Sequence, residues 1–230
     1  MADRTVTLRL LALTGDATAQ VPIRTAVIAG WTGRDPEAVE RHIAELVELG
    51  IQRPSSVPLF YRAAGTRLTT GDAIDVIGEE SSGEVEFVLL QHAGRLWLGV
   101  GSDHTDRRVE TYDVSASKQM CEKPVAPLWW AFDDVAAHWD RLILRSFINT
   151  GTGRTLYQEG MVASMLAPAV LISRYCGADS LPDGTLMFCG TLPARGGIRP
   201  APQFDFEIED PVLGRKIQHG YRITALPWVR

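Results

Sequence analysis

The segment GEVEFVLLQHAGRLWLGV, residues 83–100, decides the fold of this chain. Residues 85–90 and 96–100 are rich in apolar side chains and are separated by a turn that contains glycine, so the pattern predicts two short strands. Apolar residues occupy both faces of the first strand, which is typical of a strand buried on both sides. We therefore expect this strand to lie inside a β-sheet.

The sequence on either side predicts further strands and few helices. Asp35 is a good N-cap and Gly50 a good stop for a helix over residues 36–49. A second helix is expected over residues 161–175, bent at Pro168. The chain is therefore expected to be α+β, with a mostly antiparallel, rolled or barrel-like sheet. Other strand-like segments are residues 5–10, 21–29, 57–61, 73–77, 142–148, 186–189, 204–208 and 217–223.

The composition is that of an ordinary globular protein. The chain has 230 residues, of which 45% are hydrophobic and 22% charged, and a formal net charge of −5. This charge argues against a nucleic-acid partner, which needs a basic surface, and the longest nearly apolar run, residues 161–172, falls short of the roughly 20 residues of a membrane-spanning helix. Three widely spaced cysteines form no disulfide framework, and the first residues do not resemble a signal peptide. We expect a cytoplasmic protein without a membrane partner.

Two acids in the decisive segment predict a metal site. Glu84 and Glu86 are two residues apart, so their side chains share one face of the strand. Two like charges on a buried face cost free energy unless a positive charge neutralises them. A hard divalent cation such as Mg²⁺ does so. The alternative, a pair of exposed acids at a strand end, stays open on these residues alone.

Three other segments carry candidate chemistry. On the predicted helix, Glu45 lies one turn after His42, and a His–carboxylate pair can act as a general acid and base. The segment SDHTDRR, residues 102–108, could supply a third carboxylate and an arginine that binds an anion. The segment FCGTLPARGG, residues 188–197, could present the Thr191 hydroxyl and backbone N–H groups to an oxyanion. A half-buried histidine and two ordinary turns are the alternative interpretations.

Taken in order, these segments resemble the fumarylacetoacetate hydrolase family from about residue 28 to the end of the chain. His42 with Glu45 resembles the family's His-x-x-Glu helix, and Glu84 with Glu86 its Glu-x-Glu metal strand. The segment SKQMCEKPVAP, residues 117–127, resembles the family's lysine segment, while LPDGTLMFCGTLPARGG (181–197) and EIEDPVLGRKIQHGYRI (207–223) resemble its closing motifs.

This resemblance implies a fold: a mixed β-roll or pseudo-barrel with few flanking helices. Residues 1–230 would form a single catalytic domain, on which the strands and lid helix of residues 1–60 pack. The family is usually homodimeric, so we expect a homodimer. The resemblance also implies that Mg²⁺, or Mn²⁺ or Ca²⁺, stabilises the enolate of a small anionic β-diketo or 2-oxo acid, and that water then cleaves a C–C bond.

The resemblance assigns this hydrolase chemistry to particular residues. Asp106 competes with Asp103 for the third ligand position, because the gap from Glu86 to Asp103 is shorter than is usual in the family. The metal ligands would be Glu84, Glu86 and Asp103; the catalytic residues His42, Glu45 and Lys118; and the substrate-binding residues Arg34, Arg107 and Thr191.

Two alternative functions remain. The same metal-stabilised enolate serves decarboxylation, hydration and isomerisation, which the sequence does not separate. The chain could also be a catalytically silent protein that binds small acids, because Arg62 stands where the family usually has lysine and Leu192 interrupts its Thr-Pro pair.

Overall fold

The computed structural model describes residues 4–48, 53–151 and 153–229. None of the helices in these ranges is long and apolar enough to cross a membrane. The helices are α1 (Pro36–Glu48), α2 (Arg107–Glu110), α3 (Val114–Met120) and α4 (Pro168–Cys176). The strands are β1 (Arg4–Ala12), β2 (Gly15–Ile23), β3 (Thr25–Gly30), β4 (Leu59–Ala63), β5 (Leu68–Thr69), β6 (Ala73–Ile77), β7 (Ser81–Ser82), β8 (Val85–His92), β9 (Arg95–Ser102), β10 (Thr105–Asp106), β11 (Lys123–Pro124), β12 (Leu128–Ala131), β13 (Ile143–Asn149), β14 (Arg154–Met161), β15 (Thr185–Thr191), β16 (Gln203–Asp210) and β17 (Arg215–Leu226).

The strands form two main sheets. The large sheet has the order β2-β1-β12-β9-β8-β15-β3-β4, and the small sheet has the order β14-β13-β16-β17-β6. Most neighbouring strands run antiparallel, whereas β1 with β12, β15 with β3 and β17 with β6 are parallel. The large sheet curls into a half-barrel, so the expected α+β class with a rolled sheet and few helices is confirmed.

The core confirms that the decisive segment is buried on both sides. It forms β8 and β9, an antiparallel pair inside the large sheet. Val85, Phe87 and Leu89 of β8 pack into an apolar cluster shared with the small sheet. Val88 and Leu90 point to the opposite face, into a second cluster built from other strands of the large sheet.

Of the two expected helices, the structure contains the first nearly as predicted and only the second half of the other. Helix α1 begins at Pro36, and Asp35 Oδ1 accepts hydrogen bonds from the N–H groups of the first turn, as an N-cap should. The expected helix over residues 161–175 is wrong in its first half: Met161 ends β14 and pairs with Ile143 of β13, and Val162–Ser164 form a 3-10 turn instead of an α-helix. The helix begins only at Pro168, which favours a first helical position because it lacks an N–H group.

The chain after β9 brings distant residues to one end of the β8–β9 hairpin. β10 pairs antiparallel with β7, directly before β8, and the backbone N–H of Asp103 donates a hydrogen bond of 3.0 Å to the carbonyl of Glu84. Helices α2 and α3 follow at once, and then β11 pairs in parallel with β5. Side chains from β8, α3 and β11 therefore converge around Asp103.

Candidate active site

Three carboxylates meet at this end of the hairpin. One ligand oxygen from each of Glu84, Glu86 and Asp103 lies within 4.8 Å of the other two. Glu86 is 2% exposed and Asp103 is 0% exposed. Carboxylate oxygens are the ligands that Mg²⁺ and Ca²⁺ prefer. The structure thus brings together the three residues expected to bind a metal.

Glu86 is the least compensated of these acids. Its Oε2 accepts a hydrogen bond of 2.6 Å from the backbone N–H of Gly190, and the described contacts of this carboxylate include no ion pair. Burial, followed by the charges of Asp103 and Glu84, raises the pKa of Glu86 well above its ordinary value of 4.5. A divalent cation would offset both causes, so the carboxylates fit a metal ion.

Two lysines flank Asp103. The Nζ of Lys118 lies 2.6 Å from Oδ2 and the Nζ of Lys123 lies 2.8 Å from Oδ1. Each ammonium group thus forms a close ion pair with one oxygen of the buried carboxylate. Burial alone would raise the pKa of Asp103, but the two lysines outweigh it and lower that pKa to about 2.

Glu84 belongs to the same network of charges. Its Oε1 lies 3.0 Å from Nη2 of Arg107, and its Oε2 lies 3.3 Å from Nζ of Lys118. Burial opposes ionisation, yet Lys118 and Arg107 lower the pKa of Glu84 below its ordinary value. Arg107 also donates to Glu110 at 2.9 Å and to Ser82 at 2.7 Å. A substrate anion would therefore share Arg107 with two acids.

Lys118 stays protonated in this setting. Burial disfavours its charge, but Asp103, Glu84 and Glu110 outweigh burial and raise the pKa of Lys118. Its ammonium group also donates to the hydroxyl of Thr105 at 3.1 Å. Lys118 is therefore a donor and a positive charge at the candidate site, whereas it lacks the free electron pair of a base.

Thr191 of β15 stands opposite Glu86 of β8 in the sheet. Its hydroxyl donates to the carbonyl of Val85 at 2.9 Å and accepts from Nε2 of Gln158 at 2.9 Å. Oε1 of Gln158 in turn accepts from the N–H of Val85 at 3.0 Å and from Ser146 at 2.8 Å. Gln158 thus joins the small sheet to the strand that carries Glu86.

Asp106, the alternative candidate for the third metal ligand, lies apart from Glu84 and Glu86. Asp106 Oδ1 accepts a hydrogen bond of 2.9 Å from the N–H of Val109 and so caps α2, outside the trio of acids.

His104 lies between Tyr221, at 2.8 Å, and Ser81, at 2.9 Å. Burial, followed by Lys123 and Arg107, lowers the pKa of His104 to about 3, so its ring is neutral and structural.

The other predicted site residues lie in or near α1. The side chain of His42 is outside the described residues, although its backbone belongs to α1. Glu45 is exposed on the same helix. Arg34 donates to the carbonyl of Met165 at 3.0 Å and forms an ion pair of 2.8 Å with Asp140. The described contacts of Arg34 do not include the three acids, and the roles of all three residues stay predictions.

Sequence reasoning missed Lys123, Glu110 and Gln158. Lys123 belongs to a two-residue strand, which is too short to show a periodicity. Glu110 lies at the end of a four-residue helix, and Gln158 on a strand that was not predicted. Glu110 reaches the network through Arg107 and lies 3.7 Å from Nζ of Lys118. In the sequence, the one indication that Glu110 belongs to the site was its position two residues after the segment SDHTDRR, residues 102–108.

Comparison with solved structures shows where this fold occurs. Cg1458 with an inhibitor matches with a TM-score of 0.68 and 17% identity over 93% of this chain and 82% of that one. A 2-keto-3-deoxy-D-arabinonate dehydratase complexed with magnesium and 2,5-dioxopentanoate matches with a TM-score of 0.60 and 15% identity over 92% and 77%. The 4-oxalocrotonate decarboxylase of Pseudomonas putida G7, complexed with calcium and acetate, matches with a TM-score of 0.55 and 14% identity over 86% and 77%.

At these identities the matches show a common fold. No curated protein sequence matches the chain. Residues 29–221, which include the three acids, both lysines and Gly190, match a family described as protein of unknown function (DUF2848). This match spans well over half of the sequence, so the chain belongs to the DUF2848 family.

Proposed function

We propose that this chain is an enzyme of the fumarylacetoacetate hydrolase superfamily that requires a divalent metal ion and acts on a small 2-oxo acid. The observation that carries the proposal is the trio of Glu84, Glu86 and Asp103, whose ligand oxygens lie within 4.8 Å of one another beside a charged lysine. Two proteins of the same fold support it, the dehydratase complexed with magnesium and 2,5-dioxopentanoate and the decarboxylase complexed with calcium and acetate.

The three carboxylates would hold Mg²⁺, or alternatively Mn²⁺ or Ca²⁺. Such an ion supplies a Lewis acid that draws electrons from a ketone and stabilises the enolate formed from it. Lys118 adds a fixed positive charge, because its raised pKa keeps it protonated. In a buried site a preorganised donor of this kind stabilises negative charge that develops in the transition state.

Binding of the substrate's carboxylate would fall to Arg107 and Thr191, with Arg34 as a further candidate nearer to α1. Arg107 presents a planar guanidinium group, which suits bidentate contact with a carboxylate. It is already ordered by Glu84 and Glu110, so little side-chain entropy would be lost when an anion binds.

The reaction that we propose first is hydrolysis of a C–C bond in a β-diketo or acylpyruvate-like acid. His42, oriented by Glu45, would take a proton from water, and the hydroxide would attack the distal carbonyl carbon. The C–C bond then breaks, its electron pair forms the enolate of the 2-oxo acid, and protonation of the enolate carbon completes the reaction.

Decarboxylation of a 2-oxo diacid is the second candidate. It uses the same enolate but needs no attacking water, so it would require the metal ion held by the three acids, together with Lys118, and no general base. His42→Ala separates the two reactions: it should greatly slow hydrolysis of acylpyruvates and leave decarboxylation of oxaloacetate nearly unchanged.

Calorimetric titration of metal-stripped protein with Mg²⁺ and with Mn²⁺, each with and without oxalate, tests the site. We expect metal-dependent binding of oxalate, an analogue of the enolate, that is lost in Glu84→Ala and Glu86→Ala. Glu80→Ala is a matched control, because Glu80 is an exposed acid paired with Arg108 at 3.6 Å. Absence of metal binding under every condition would overturn the proposal.

Turnover separates the enzyme from the silent alternative. Binding of metal and oxalate without turnover of any acylpyruvate or of oxaloacetate would favour a protein that only binds small acids. We also propose a homodimer in the cytoplasm, for which sedimentation equilibrium of the purified protein measures the oligomeric state and cell fractionation the location.

A further inference from the structure

Lys123 is a buried charge that the proposed reaction does not use. It is 0% exposed, and its Nζ lies 2.8 Å from Oδ1 of Asp103 and donates a hydrogen bond to the carbonyl of His104. Its backbone is fixed in β11, opposite Leu68 of β5. A fully buried lysine is rare and costs free energy unless it is paired, so its place against a candidate metal ligand calls for a reason.

Support of Asp103 does not by itself explain why Lys123 is buried at this position. Lys118 already pairs with Oδ2 of Asp103 at 2.6 Å, and the N–H of Asp103 is bonded to the carbonyl of Glu84. With Lys123 in place, each oxygen of Asp103 faces its own ammonium group. An incoming cation must therefore bind a carboxylate whose charge is already opposed from two sides.

The charge of the network shows what Lys123 changes. With all four acids ionised, as the ligands must be when they hold a metal ion, Glu84, Glu86, Asp103 and Glu110 face Lys118, Lys123 and Arg107, which leaves a formal charge of −1 without the ion. A divalent ion would change this charge to +1 in a largely buried place, where uncompensated charge is costly. Without Lys123 the same ion would leave the network neutral.

We propose that Lys123 weakens the binding of the metal ion alone and makes its tight binding depend on an anionic ligand. This inference rests on the proposed function and names the ligand class: a small carboxylate with an adjacent oxygen that binds the ion, carrying a charge of −1 or −2. The anion removes the positive excess that Lys123 creates. By linkage, metal and anion each strengthen the binding of the other by the same factor.

Calorimetry of the metal-stripped wild type tests this dependence directly. Mn²⁺ is titrated without oxalate and with saturating oxalate, and the binding of Mn²⁺ to oxalate in solution is included in the fit. We expect oxalate to tighten Mn²⁺ binding about tenfold or more, within the usual range of coupling between two sites. Equal affinity for Mn²⁺ with and without oxalate would overturn the inference and, by linkage, also the metal-dependent binding of oxalate that the proposed function expects. An enhancement by oxalate that is the same in the wild type and in a variant without the charge of Lys123 would overturn the inference alone.

The variant Lys123→Met assigns the dependence to this residue, because methionine has a similar length and no charge. We expect it to bind Mn²⁺ alone about tenfold more tightly or better, since removal of a buried positive charge near the ion strengthens its attraction to the acids. The enhancement by oxalate should shrink. Lys216→Met, which removes a lysine paired with Glu207 at 2.9 Å on the small sheet, should change neither quantity.

Two further outcomes remain decisive. A folded Lys123→Met protein, shown by a cooperative thermal transition, that binds Mn²⁺ as the wild type does or more weakly would make Lys123 merely structural. If Lys123→Met does not fold, Lys123→Gln and the wild-type titration carry the test. Failure of the wild type to bind Mn²⁺ in either condition would overturn the proposed function and this inference together.

Discussion

The backbone N–H of Gly190 donates a hydrogen bond of 2.6 Å to Oε2 of Glu86 across the β15–β8 pair. The register of this pair shifts between Phe188 and Thr191, and Gly190 adopts a left-handed φ of 102°. The shift turns an N–H group away from the ladder and toward the acid. Glycine suits this position because other residues are strained at such a φ.

Gly190→Ala should therefore damage both the fold and the site. A Cβ at Gly190 would lie 1.7 Å from Oγ1 of Thr32, in a conformation that is already strained. We expect a loss of about 2 kcal/mol or more in the free energy of unfolding, measured by urea denaturation, together with weaker binding of Mn²⁺.

Gly177→Ala is the control for this prediction. Gly177 also has a left-handed φ, of 67°, but a Cβ there would meet nothing within 4 Å. It ends α4, so the substitution should cost only about 1 kcal/mol and leave Mn²⁺ binding unchanged. Equal losses in the two variants would contradict the claim that the contact with Thr32 matters.

Glu86→Gln should stabilise the metal-free protein at neutral pH and abolish its response to metal. The folded protein raises the pKa of Glu86 above 4.5, so it favours the neutral acid. Stability is therefore lost as the pH rises from the ordinary pKa, which the unfolded chain retains, toward the folded one. Glutamine carries no charge at any pH and avoids this loss.

Thermal unfolding at pH 4, 6 and 8 without metal measures the effect. The transition temperatures of variant and wild type should nearly coincide at pH 4, and the variant should exceed the wild type increasingly toward pH 8. Added Mg²⁺ should raise the transition of the wild type far more than that of the variant. A lower transition for Glu86→Gln at pH 8 would show that the acid is compensated without metal.

Gln158→Leu should uncouple the two sheets at the site. The substitution leaves the N–H of Val85 and the carbonyl of Leu192 without the partners that Gln158 supplies. Because buried unsatisfied groups cost about 1–3 kcal/mol each, we expect a loss of about 2–4 kcal/mol in urea denaturation. As a control, Gln20→Leu removes an exposed hydrogen bond to Thr7 and should change the free energy of unfolding by no more than about 0.5 kcal/mol. Similar losses of stability in the two variants would refute the role of Gln158.

Residues of the candidate site could be predicted from the sequence only where a local pattern indicates their position. The two-residue spacing of Glu84 and Glu86 specifies a shared face, and the apolar residues around them indicate burial. Asp103 was reached through a family resemblance, since its approach to Glu84 depends on the β7–β10 pairing. Lys123 shows no pattern of its own, because β11 has two residues and its role exists only in the folded protein.

The error over residues 161–175 has a local origin. The segment is apolar enough for a helix, but Met161 still pairs with Ile143 in the β13–β14 hairpin, and Val162–Ser164 form only a 3-10 turn. Proline disfavours a helical conformation at the residue before it and favours the first position of a helix, so α4 begins at Pro168.

Lys118→Met should separate catalysis from metal binding. In the proposed reaction Lys118 stabilises charge that appears only in the transition state, and loss of one such donor typically lowers kcat by about 10²–10³-fold. The acids remain in place, and removal of the ammonium group 2.6 Å from Asp103 should leave Mn²⁺ binding as tight or tighter. Turnover of oxaloacetate at saturating Mn²⁺, compared with the calorimetric affinity for Mn²⁺, measures both. If the turnover of Lys118→Met falls only in proportion to its affinity for metal, then Lys118 supports the metal ligands and takes no direct part in the reaction.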